Sequence, residues 1–124
     1  MAGNAYGEDE VYYCSDIDSN GFKINKEHGS YKPQLFEMKK FKMKLNRTAN
    51  SVELAHDEGE RRKFACTSLR FKSDEKVVHC QGNHLNTFIY NSSNKRYSLS
   101  WSQGYVLSDN PASLSISYGT CDKF

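Results

Sequence analysis

Leu, Ile, Val and Phe supply only 24 of the 124 residues, a share that with a high net charge would mark a disordered chain. The net charge is only +2, and eight Tyr, seven Phe and one Trp restore apolar area, each aromatic burying roughly 150–250 Å². Disorder is therefore disfavoured. Gly and Pro together make 10 residues, too few for a collagen-like or linker-like chain. No apolar run approaches the ~20 residues of a membrane-spanning helix, so a soluble protein without membrane contact is expected. Neither a Walker sequence, a Gly-x-Gly-x-x-Gly loop nor a Gly-x-Ser-x-Gly elbow occurs, which removes the usual phosphate cradles and hydrolase nucleophiles. Internal repeats are absent too. The length suits one domain able to bury roughly two thirds of its extended surface, here residues 10–124 behind a flexible stretch at 1–9.

Four cysteines are present. Cys14, Cys66, Cys80 and Cys121 form no Cys-x-x-Cys pair, and His79 and His84 lack zinc-finger spacing, so neither a metal site nor any other cofactor is expected. Three disulfide pairings are possible. Spacing favours Cys14–Cys121, one near each end, and Cys66–Cys80 within one apparent hairpin; the alternative is four buried thiols in a cytosolic protein. Two sequons, Asn46-Arg47-Thr48 and Asn91-Ser92-Ser93, are compatible with secretion. Met1 to Gly7 carry neither a charged leader nor an apolar stretch, so a secreted protein would already have lost its signal.

Charge alternates in blocks: residues 1–30 hold six acids and two bases, 31–50 six bases and one acid, and 51–60 four acids. Glu10 to Ser15 and Phe22 to Asn25, separated by the turn-like Ser19-Asn20-Gly21, read as an N-terminal β-hairpin. Pro33, followed by Leu35, Met38, Phe41 and Leu45 at spacings of three and four, predicts a basic amphipathic helix over 33–45. Phe41 to Leu45 also alternates with period two, as a strand would, but Pro33 and the lack of β-branched residues favour helix. Phe64 to Phe71 and Lys76 to Gln81 form a hairpin centred at Ser73, placing Cys66 opposite Cys80. Further strands are expected at Thr87 to Tyr90, Tyr97 to Ser102 and Leu114 to Tyr118, with a turn at Ser108 to Pro111. Strands following one early helix give an α+β class, the helix packed on an antiparallel sheet.

The segment from Glu75 to Asn91 resembles the central segment of the secreted fungal guanyl-specific ribonucleases. Tyr12-Tyr13-Cys14, an aromatic-x-Cys element, together with Cys121 near the end is similar to the terminal disulfide of that family. The same element, the size and the Lys-rich segment after the first hairpin also resemble the ribonuclease-like secreted effectors of cereal powdery mildew fungi, which include avirulence effectors sensed in barley and wheat. That resemblance implies a ribonuclease-like fold, secretion, delivery into the plant host cytoplasm, and recognition by a nucleotide-binding leucine-rich-repeat immune receptor. RNA cleavage of the family's type requires a base for the ribose 2′-OH, an acid for the leaving 5′-oxygen and a cation for the phosphorane. The family's arginine position carries Lys76, its acid-histidine position carries Asn91, and Phe64 to Phe71 holds no carboxylate. His56 stands where a second histidine would fall.

A non-catalytic ribonuclease-like effector is therefore expected, monomeric and acting through contacts with an immune receptor and a further host protein. The alternatives are an active ribonuclease with a rearranged site and an RNA-binding module. RNA or partner contact would fall to Lys72, Lys76, Tyr90 and Tyr97, with Arg70 beside them, and to Lys39 and Lys40 on the basic segment.

Overall fold

The computed structural model describes residues 9–25, 27–56, 59–69, 76–83, 86–102, 105–106 and 113–123. Nine strands run through them: β1 (Glu10–Asn25), β2 (Ser30–Leu35), β3 (Lys40–Asn46), β4 (Ser51–His56), β5 (Arg61–Leu69), β6 (Val77–Gly82), β7 (Asn86–Asn91), β8 (Arg96–Trp101) and β9 (Leu114–Lys123). All neighbours are antiparallel, and β9 pairs back onto β1, so eight strands close into a barrel while β2 extends the far half of β1. The fold is an all-β barrel with two disulfides. The expected α+β helix-on-sheet layout, and with it the ribonuclease-like fold, is overturned.

The 33–45 segment shows why. Phe41, Met43 and Leu45 are buried while Lys40, Lys42 and Lys44 stand on the outer face, the period-two arrangement of a half-buried strand. A helix would have gathered Leu35 and Met38 onto that apolar side, yet both are largely exposed. Burial of three large side chains between two neighbouring strands outweighs the local preference. Pro33 lies in β2, which among the described residues pairs only with β1. The Phe36 N–H donates to the Ser19 carbonyl, and the alternation from there puts Pro33 in a non-hydrogen-bonded pair, its missing N–H on the free edge where a proline is tolerated.

The N-terminal hairpin exists, but it reverses after Asn25, with residues 27–29 in a turn. Asn25 accepts backbone N–H donors from His28 and Gly29, and Gly29 adopts φ +65°. Ser19-Asn20-Gly21, expected to turn, instead continues β1. Gly21 is required there because an added Cβ would strike the Leu114 carbonyl on β9. β4, within the acidic block, escaped the sequence reading although Val52 and Leu54 alternate inward. The β5–β6 register pairs Cys66 with Cys80, and the β1–β9 register pairs Cys14 with Cys121; both pairs are disulfides. The turns expected around Ser73 and at Ser108 to Pro111 lie outside the described residues.

Among the described residues, aromatic side chains pack across the centre of the barrel. Phe88 sits centrally, with ring centroids 6.4 Å from Phe41, 6.0 Å from Phe64 and 5.8 Å from Tyr97, and Tyr12 meets Tyr90 at 5.5 Å. Side chains filling the interior are what eight strands allow. Since β3, β5, β7 and β9 run one way and β1, β4, β6 and β8 the other, the ends are readily assigned. One end carries His56, Glu60, Trp101 and Ser113; the other carries Asn46, Lys76, Asn91 and Lys95.

Candidate binding site at the barrel mouth

Strand β1 departs from regular pairing between Asp16 and Asp18, leaving Ile17 as a bulge against β9. Before it the inward residues are Tyr12, Cys14 and Asp16; after it they are Ser19 and Gly21, because one extra residue switches the strand's phase. The bulge keeps Asp16 at the mouth, where its carboxylate accepts the Tyr97 O–H at 2.6 Å and the Lys39 N–H at 2.9 Å. Gly119 makes room for this bond, since a Cβ there would lie 2.7 Å from the Tyr97 oxygen and against the Ser15 carbonyl. Burial first, then the bond to Asp16, raises the Tyr97 phenol well above its ordinary range.

Around Asp16 opens a cleft of about 510 Å³, lined by Phe36, Phe41, His56, Glu60, Arg62 and Trp101 among others, a size within the roughly 300–1,000 Å³ of small-molecule sites. Glu60 and Arg62, two apart on one face, form an ion pair. The Arg62 guanidinium lies 4.5 Å from the centre of the Trp101 ring, a cation–π arrangement. Across the cleft, β9 contributes Ser115 and Ser117, and the Ser117 hydroxyl bonds the Ser19 hydroxyl at 2.8 Å.

His56 ends β4, its ring 5.0 Å from that of Phe41. Burial, helped by Lys39 and Arg62 and opposed by Glu60 and Asp16, lowers its pKa and favours the neutral imidazole. Its buried Nδ1 has no hydrogen-bond partner among the described residues. Asn86, fully buried at the same end, likewise has no partner among the described residues for either side-chain polar atom. The cleft thus offers carboxylate, ammonium, guanidinium, imidazole and hydroxyl groups beside three aromatic rings, with Glu60 ion-paired to Arg62 and Asp16 hydrogen-bonded.

The residues singled out from sequence do not assemble into one site. His56 lies at the mouth, whereas Lys76 and Asn91 lie at the opposite end, where the Lys76 carbonyl accepts the Ser92 N–H and Asn91 Oδ1 accepts the Ser93 N–H. Tyr90 and Tyr97, named as possible stacking residues for RNA, are interior residues. Tyr12 is also buried, its O–H donating to Glu10 at 2.8 Å. Lys39 lines the cleft, Lys40 is exposed on the barrel wall, and Lys72 and Arg70 lie outside the described residues. Sequence reasoning missed Asp16, Ser19, Glu60, Arg62, Trp101, Ser115 and Ser117. The spacing of Glu60 and Arg62 on a strand could have shown that they share a face; nothing local marks the bulge that aims Asp16.

A second feature lies on the outside of the closing strands. Ile17, Phe22, Leu35, Ile116 and Tyr118 are each about half exposed or more. The β1–β2 and β1–β9 registers put Phe22 opposite Pro33 and Leu114, and Asn20 opposite Leu35 and Ile116, so these apolar residues share one surface.

Two disulfides are consistent with an extracellular or secreted protein. No protein-family model and no curated protein matches the chain.

Proposed function

We propose that this is a secreted binding protein that holds a small, uncharged, hydroxyl-rich molecule, of disaccharide size, at the barrel mouth and does not turn it over. The observation that carries this reading is the mixed lining of the cleft, where groups of both charges and hydroxyls stand beside aromatic rings. Glu60 is matched by Arg62, and Asp16 is engaged by Tyr97 and the Lys39 backbone. Charges of both signs line the cleft, Asp16, Glu37 and Glu60 beside Lys39 and Arg62, so a ligand of either sign meets like charge as well as opposite charge. A neutral polyol meets donors and acceptors of both kinds, with Phe36, Phe41 and Trp101 for its apolar faces. The separation of His56 from Asn91 argues against ribonuclease chemistry, since acid and base must both reach the reacting atoms.

Trp101 is the chain's only tryptophan and lines the cleft, so its fluorescence reports on this site. Titration with neutral disaccharides should give a saturable change that Arg62→Met weakens at least tenfold. Saturation by anions or amines alone would replace the ligand class. A flat response to all of them would remove the mouth as a binding site.

A second reading rests on the apolar outer face of β2, β1 and β9. Contiguous exposed apolar surface is characteristic of protein contact sites, and it supports an effector-like role through a host protein or immune receptor, inside the plant cell, without catalysis. Tyr12-x-Cys14 and the terminal disulfide support the kinship with mildew effectors; the ribonuclease layout no longer does. Ile116→Lys should then abolish partner capture while leaving the Trp101 titration unchanged, and undiminished capture would remove this face.

A further inference from the structure

The end opposite the mouth has no part in the proposed binding site, yet it holds both sequons. Asn46 closes β3 and Asn91 closes β7, two strands that run in the same direction, so their following turns emerge together at that end. In each turn the side-chain carbonyl is directed into the backbone: Asn46 Oδ1 accepts the Ala49 N–H at 2.9 Å, and Asn91 Oδ1 accepts the Ser93 N–H at 2.9 Å. Each amide therefore uses its oxygen for the turn and keeps Nδ2 as its remaining polar group. Thr48 and Ser93, which complete the two motifs, are exposed, and Asn50 and Lys95 adopt positive φ, 52° and 63°, as the chain reverses.

From this placement we infer that Asn46 and Asn91 are both N-glycosylated during secretion, so that one end of the barrel carries two glycans and the mouth carries none. The donor is an oligosaccharide linked through pyrophosphate to a lipid. Asn Nδ2 forms a bond to the sugar C1, the C1–oxygen bond to pyrophosphate breaks, and the lipid pyrophosphate leaves as the amide gives up one proton. Secretion, consistent with the two disulfides, exposes the chain to that chemistry.

The filled interior and the opposed ends make the consequence geometric. Glycans on these turns project away from Trp101, Arg62 and Asp16, shield the end that presents Lys76, Lys95 and Arg96, and leave the cleft open.

The full chain, expressed behind a secretion signal in a eukaryotic host, should run as two added glycans that peptide N-glycosidase removes, converting Asn46 and Asn91 to Asp in peptide mass spectra. Thr48→Ala and Ser93→Ala should each remove one glycan. These variants keep both asparagines and their turn bonds, so folding is preserved, and the spacing of cysteine masses in non-reduced digests checks it. Trp101 fluorescence should be the same before and after glycan removal. Secreted, disulfide-bonded protein with either asparagine bare overturns the inference at that position. A glycan that quenches or shifts Trp101 overturns the separation of the two ends.

Discussion

Along β3 the barrel wall sorts its side chains cleanly, Phe41, Met43 and Leu45 inward and Lys40, Lys42 and Lys44 outward. Where β1 meets β9, the same rule is broken twice: Asp16 and Ser19 face inward, and Phe22, Ile116 and Tyr118 face out. The wall has only to separate core from water, and alternation suffices for that. The seam has also to close a cylinder, and closure draws on a bulge at Ile17 and two glycines, Gly21 and Gly119, at which the opposing backbone leaves no room for a Cβ. Both candidate surfaces, the cleft and the apolar face, border this seam.

The disulfides give the strongest way to break that contrast. Cys14–Cys121 staples the seam across a sequence separation of 107, and Cys66–Cys80 staples the wall across 14. In the chain-entropy model these contribute about 4.7 and 3 kcal/mol. Cys14→Ser with Cys121→Ser should therefore lower the free energy of unfolding in guanidinium more than Cys66→Ser with Cys80→Ser, and equal losses would mean that the seam holds without its staple.

Next in size is Gly119→Ala, which drives a methyl group against the Ser15 carbonyl and the Tyr97 oxygen. A destabilisation of about 1–3 kcal/mol is expected from such overpacking, whereas Ser98→Ala, on the outer face of β8, should change stability by no more than about 0.5 kcal/mol. Equal, small effects in denaturant titrations would show that the seam is as tolerant as the wall.

The smallest expected effect is in pH dependence. His56 has a lowered pKa in the folded barrel, so the unfolded chain binds its proton first on acidification. Its contribution is fully present above about pH 6.5, the unfolded value, and declines as pH falls through the window between that value and the lower folded one. Glu10 acts in the same sense at lower pH: burial raises it, but the bonds from Tyr12 and Arg47 prevail and hold it below its ordinary 4.5. Thermal melts from pH 7 to pH 5 should fall for the native protein and flatten for His56→Phe. An unchanged slope would separate the imidazole from the stability of the mouth.

Acidification leaves the hydroxyl groups of the seam unaffected at these pH values, but two tyrosines there should resist alkali. Tyr12 is pushed up to about 12 by burial and by Glu10, and Tyr97 is raised by burial and by Asp16. The same linkage has the opposite sign here, so their contribution is present below pH 10 and is lost as pH rises beyond it.

Local pattern accounts for a definite part of this molecule. The β5–β6 hairpin follows from residues within about twenty positions of one another, with Cys66 and Cys80 symmetric about Ser73, and β7, β8 and the middle of β9 follow from short runs of β-formers between turns. Secretion-compatible chemistry was legible in the four cysteines, and both disulfide partners in their spacing. Those features need only near neighbours, or a covalent bond that admits few choices. Three others needed the closed barrel. Phe41, Met43 and Leu45 form a strand because β1 and β4 lie on either side, Asn20-Gly21 passes straight through because β9 approaches it, and Asp16 becomes the centre of a cleft because Ile17 bulges. In each, the deciding partner lies many residues away, and its contribution is a packing energy that no local spacing encodes.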